Sequence, residues 1–220
     1  MTIKLHGAAL SPFVRKTRVV LGLKNIAYQS VHVDPTNLPE GFERISPMRR
    51  IPVLEVNDTF LADSAAICVW AEGHQPSPSL YPSDPLLHAR CVWFERYADY
   101  DLAVNTTFSV FRNRFLMPLI GKPGNEERVN KALHEVLPGM FEYLESQLQD
   151  RPYLCGEHMT VADIAVASQM VNFAHGGERL DPERYPAFAA YLDTLHALPP
   201  FAETIAKESA FVQQVSAARK

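Results

Sequence analysis

The first 75 or so residues alternate between strand-like and helix-like spacing of their apolar positions. Thr2 to His6 is a short strand candidate. Pro12 to Lys24 (PFVRKTRVVLGLK) sets Val14, Val19, Val20, Leu21 and Leu23 among Arg and Lys, which predicts an amphipathic helix. Ala27 to Val33 reads as a second strand and Leu38 to Ile45 as a weak helix. Pro52 to Val56 and Thr59 to Leu61 flank Asn57-Asp58, two short apolar runs around a turn signal, and predict a hairpin. Ala65 to Glu72 (AAICVWAE) reads as a helix. The resulting order is βαβαββα. A strand, a crossover helix and a strand imply a parallel pair, and the terminal hairpin adds antiparallel strands.

The pattern then breaks. Gly73 to Pro85 (GHQPSPSLYPSDP) holds four prolines, three serines and a glycine, a density that no helix continues through. This divides the chain into a first domain over 1–75, a linker over 76–85 and a second domain over 86–220. Beyond the linker the spacing is helical almost throughout. A long helix is expected from Leu86 to about Arg114, then a loop over Met117 to Asn125 and an amphipathic stretch from Glu126 to Leu148. Thr160 is an N-cap with Asp163 at the capping-box position and Met159 and Ile164 placed as a hydrophobic staple. Asp is shorter than the usual Glu, which predicts a weaker box. Further helices are expected over Pro186 to Leu198 and Pro200 to about Val215. The fold class is a small α/β domain followed by an all-helical one.

Composition narrows the function. The formal net charge is −4, divided as +1 through Gln75 and −5 beyond it, which argues against a nucleic-acid protein or an anionic membrane surface. Cys68, Cys91 and Cys155 are far apart, odd in number and form no C-x-x-C, so they read as buried thiols rather than a disulfide framework or zinc site. The eight histidines show no ligand-like spacing, and no metal is implied. There is no apolar run of membrane-spanning length and no signal-like start, so a cytoplasmic location is expected.

Three spots in the first domain bear chemistry. Ser11-Pro12-Phe13 opens the first helix with an N-cap and a proline at N1. It is either a capped helix and no more, or a place where a hydroxyl and the positive helix end favour a thiolate over a thiol. Arg50-Ile51-Pro52-Val53-Leu54 opens a strand, either with an ordinary trans proline or with a cis-Pro52 that turns the Ile51 main chain outward to pair with a peptide ligand. Asp63-Ser64 precedes the third helix, as a cap or as a site for an amino-acid end group, with Asp63 taking an ammonium and Ser64 a carboxylate.

In combination and order these residues are similar to the glutathione S-transferase family, through GAALSPFVRKTRVVLGLKNIAY, ISPMRRIPVLEVNDTFLADSAAI and CGEHMTVADIAVAS. The SPFVRKTR stretch resembles the serine-type classes, tau-like and theta-like. The resemblance implies a thioredoxin-like first domain and an all-helical second domain. It implies Ser11 as donor to the glutathione sulfur, with Phe13, Arg50, Ile51, Pro52, Asp63 and Ser64 around the tripeptide. It also implies an electrophile pocket between the Ser11 loop and the long helix, drawing on Tyr97, Asp101, Val104, Asn105 and Phe108, and a homodimer. Asp63 departs from the family's more frequent Glu. The expected activity is conjugation of glutathione, as co-substrate, to a small apolar electrophile. A glutathione-dependent peroxidase or disulfide reductase, and a non-catalytic interaction protein on the same fold, remain as alternatives.

Overall fold

In a computed structural model that describes residues 1–217, the chain divides into two compact units, Met1–Tyr81 and the residues from Pro82 onward. The first unit is built on a four-stranded sheet in the order β2-β1-β3-β4: β1 is Ile3–Gly7, β2 Gln29–His32, β3 Val53–Val56 and β4 Thr59–Leu61. β1 and β2 are parallel, as a crossover through helix α1 (Pro12–Leu23) requires, while β1–β3 and β3–β4 are antiparallel. Asn57, at φ 52°, makes the tight turn of the hairpin and takes the Thr2 N–H on its side chain at 3.1 Å. Helix α2 (Ser64–His74) packs against α1. The expected helix over Leu38 to Ile45 is only a 3₁₀ turn at Phe42–Arg44, because Pro39 and Gly41 leave too short a run for a full helix.

Side chains alternate across the sheet. Leu5 and Leu54, directly paired in register, are buried, as are Val14 and Val19 of α1 and Ile67 of α2. On the opposite face Val33, Phe42 and Val53 form a smaller cluster, against which Leu38, Ile45 and Ile51 pack. Gly7 is required by packing. A Cβ there would stand 2.5 Å from Val14 Cγ2, so its absence lets α1 close onto the end of β1. Lys24 is fully buried at the end of α1, where its ammonium pairs with Glu72 at 2.7 Å and donates to the carbonyls of Gln75 and Pro78, both at 2.8 Å. All three of its donors are used.

The second unit is helical. Helix α3 (residues 85–119) is α-helical over Pro85–Arg96 and passes through π-helical stretches at Tyr97–Leu102 and Thr106–Leu116. It therefore extends past Arg114 into the segment expected as a loop. Helix α4 (residues 126–148) carries a π-helical stretch at Ala132–Val136. Helices α5 (Val161–His175), α6 (Pro186–His196) and α7 (Pro199–Ala217) follow. α5 is the centre of the unit, buried on every side from Val161 to Phe173.

Its first turn corrects one expectation. Asp163 is not a weakened box residue. Its Oδ2 accepts from the Thr160 N–H at 2.7 Å and hydroxyl at 2.8 Å, and its Oδ1 accepts from Leu154 N–H at 2.9 Å and Tyr191 O–H at 3.0 Å. The short side chain reaches both its own helix start and two neighbouring segments. Burial raises the Asp163 pKa above the usual carboxylate range, against the pull of these donors. The three cysteines are buried, and none is in a disulfide among the described residues. Among the described residues no helix is long and apolar enough to cross a membrane.

Candidate functional site

The strand register brings the three chemistry-bearing spots to one end of the first unit's sheet. His6 pairs with Val53, and Leu54 with Leu61. The loop leaving β1 toward Ser11, the segment entering β3 through Arg50, Ile51 and Pro52, and the segment leaving β4 toward Asp63 and Ser64 thus all emerge on the same side. Neighbouring strands lie about 4.8 Å apart, so two spacings cover about 10 Å. An extended tripeptide is also about 10 Å long.

Ser11 is the N-cap of α1, with extended backbone, and is partly exposed. Its Oγ accepts the Val14 N–H at 3.4 Å, a long bond, and its own hydroxyl proton goes to no described residue. The first turn of α1 contains no acidic residue. A group with one free donor at the positive end of a twelve-residue helix is suited to an anion. Phe13, in the same turn, is partly buried, and its carbonyl accepts from the Thr17 hydroxyl at 3.0 Å.

The Ile51-Pro52 bond is cis. Ile51 sits just outside the β1–β3 ladder with its side chain against the Val33, Phe42, Val53 cluster, and its main chain makes no hydrogen bond with another described residue. Arg50 is exposed, and its side chain has no ion pair among the described residues. Asp63 caps α2: Oδ1 accepts from Ala65 N–H at 2.8 Å and Ala66 N–H at 3.2 Å, and Oδ2 accepts from no described residue. Ser64, the first residue of α2, is buried.

One contributor escaped sequence reasoning. Ser46 Oγ accepts the Arg50 N–H at 2.9 Å and donates to the Arg50 carbonyl at 2.8 Å. A serine before a proline signals a turn, but nothing in the spacing says which residue that hydroxyl closes on.

The residues expected to line an electrophile pocket all lie on α3 of the second unit, and they do not form one uniform lining. Tyr97 stacks on Trp93 with ring centres 5.4 Å apart, and its hydroxyl donates to the Met140 carbonyl of α4 at 3.4 Å. Burial, with the Asp101 charge second, raises its phenol pKa. Asn105 donates to the Asp101 carbonyl at 3.0 Å and lies 3.7 Å from Met140 Sδ. Asp101, Val104 and Phe108 are exposed. The spacing i, i+4, i+8, i+11 presumes 3.6 residues per turn, whereas the π-helical turns here are wider, and the face drifts. Among the described residues no group of three or more His, Cys, Asp or Glu is arranged to hold a metal.

Residues 5–79 match the glutathione S-transferase N-terminal domain and residues 111–208 the glutathione S-transferase C-terminal domain. Glutathione S-transferase Z2 of Arabidopsis thaliana is 26% identical over 92% of this chain and 90% of its own. A probable maleylacetoacetate isomerase of Vibrio cholerae is 28% identical over 92% of this chain and 95% of its own. The fold is shared with a glutathione transferase homologue from Drosophila mojavensis solved with bound glutathione, at a TM-score of 0.82 and 24% identity, covering 98% of this chain and 97% of that one.

Proposed function

Because the chain belongs to the glutathione S-transferase family, we propose that it binds glutathione across the open end of its sheet and conjugates the sulfur to a small apolar electrophile. The observation that carries this reading is the convergence of Ser11, Ile51 and Asp63 at the ends of three adjacent strands, over about the length of a tripeptide. Ser11 donates its free proton to the sulfur. The Ile51 main chain pairs with the cysteinyl residue as an added strand would. Asp63 Oδ2 takes the γ-glutamyl ammonium while Ser64 takes its carboxylate, and Arg50 lies ready for the far carboxylate.

The chemistry asks little of the protein. A free thiol has a pKa near ~8.5. One charge-assisted hydrogen bond contributes about 1.5–3 kcal/mol, which lowers that value by about one to two units. At the two-unit end most of the bound sulfur is ionised at neutral pH without a general base. The sulfur attacks the electrophile, a thioether forms, and the leaving group departs with its electron pair. Exposed Asp101, Val104 and Phe108 on α3 are the residues proposed to meet the electrophile. No cysteine lies near Ser11, which favours conjugation over disulfide exchange at this position.

Calorimetry with glutathione at millimolar concentration, followed by assays with a chloro-nitro-aromatic and with a hydroperoxide, tests the proposal. Binding with conjugation supports it. Turnover of the hydroperoxide alone indicates a peroxidase, and absence of binding indicates an interaction protein on this fold.

A further inference from the structure

Between the 3₁₀ turn at Phe42–Arg44 and Pro52 the chain makes a loop whose tip is almost wholly in solvent: Pro47, Met48, Arg49 and Arg50 are all exposed. Ile45 and Ile51 at its two ends pack on the Val33, Phe42 and Val53 cluster, but no apolar side chain of the tip itself is buried. What holds it is the side chain of Ser46, which is 1% exposed. Its Oγ takes the Arg50 N–H at 2.9 Å and gives its proton to the Arg50 carbonyl at 2.8 Å. The Ser46 carbonyl accepts Arg49 N–H at 2.8 Å, and Arg49 takes the left-handed conformation at φ 53° that turns the chain back. Ser46 is itself tied to the 3₁₀ turn, its N–H donating to the Phe42 carbonyl at 2.9 Å.

One hydroxyl therefore satisfies both polar groups of the Arg50 main chain. The next residue, Ile51, is anchored by its side chain on the Phe42 and Val53 cluster and keeps its own N–H and carbonyl unused by the chain. We infer that Ser46 is a positioning residue for glutathione: by fixing Arg50 from inside, it presents the Ile51 main chain in the orientation a peptide ligand pairs with, and sets the root of the Arg50 side chain. The inference rests on the glutathione reading above. A loop ordered in advance need not be ordered by the ligand, and that saving appears in affinity.

Ser46 acts on docking alone, since the sulfur is held from a different loop. Ser46→Ala is expected to raise the KM and Kd for glutathione about five- to thirtyfold, the worth of one to two hydrogen bonds. It leaves kcat at saturating glutathione within about twofold and the acidity of the bound thiol unchanged. Ser46→Cys keeps the buried volume while weakening both bonds. It is expected to shift the same way, and it supplies the comparison if the alanine variant loses its circular-dichroism signature. Unchanged affinity in a folded variant, with wild type binding normally, overturns the role of Ser46 alone. A fall in kcat with KM unchanged overturns it too. Failure of the wild-type protein to bind glutathione overturns the underlying reading instead.

Discussion

Asp63 does two jobs with two oxygens. Oδ1 caps α2 through two amide bonds, and Oδ2 is left for a ligand. Asparagine caps about as well as aspartate, so Asp63→Asn separates the two. We expect its thermal midpoint to stay close to wild type while glutathione binding in calorimetry weakens about ten- to a hundredfold through loss of a charged partner. Lys24 is the opposite case, a charge with no ligand to meet. Lys24→Met leaves two carbonyls without their donor and Glu72 without its cation. Breaking a buried pair costs about 3–5 kcal/mol. Because Glu72 keeps Ser79 and Leu80 as donors and some solvent contact, the expected loss in urea unfolding is about 2–4 kcal/mol. Glu55 ties Lys4 and His6 together at 2.6 and 2.8 Å, and these hydrogen bonds hold its carboxyl below the usual range. A depressed folded pKa means stability present above the ordinary Glu value of about 4.3 and lost as pH falls through the folded one. The stability difference between wild type and Glu55→Gln is therefore expected to be level above about pH 5 and to shrink below about pH 4 in pH-dependent denaturation.

At the scale of elements, the contact between β1 and α1 sets where Ser11 stands. Gly7→Ala forces a Cβ into Val14, and overpacking of this kind costs about 1–3 kcal/mol. Val14→Ala in the same chain opens the space, so a double-mutant cycle should show coupling of about 1–2 kcal/mol; simple additivity would deny the contact. This junction also shows what could be read in advance. Ser11-Pro12 carries its own local signal as cap and N1 residue, and the structure places both there. The hairpin around Asn57-Asp58 was equally legible, since its turn chemistry is local. Ser46 and Lys24 were not, because their partners are fixed by tertiary closure: four residues of loop in one case, and 51 and 54 residues of separation in the other. Asp163 was legible as a cap, while its bonds to Leu154 and Tyr191 depend on segments that only packing brings near. The drift of the face along α3 was not legible for a different reason, because π-helical turns leave no mark in apolar spacing.

For the whole molecule, the split between an α/β unit and a helical unit was legible because proline density and a change of period coincide near residues 76–85. We propose that the protein acts as a homodimer. Trp93 and Tyr100 leave 49% and 56% of their surface exposed along α3, apolar surface that a second copy would cover. Sedimentation at micromolar concentration is expected to return twice the chain mass, and a single-chain mass would remove the dimer from this account.

Thiolate stabilisation at this site turns on one proton, that of the Ser11 hydroxyl. A pH titration of the ultraviolet thiolate band of protein-bound glutathione, in wild type and in Ser11→Ala, reads it directly. The wild-type pKa is expected about one to two units below the ~8.5 of a free thiol, returning toward that value in the variant. Equal values in the two proteins would contradict it.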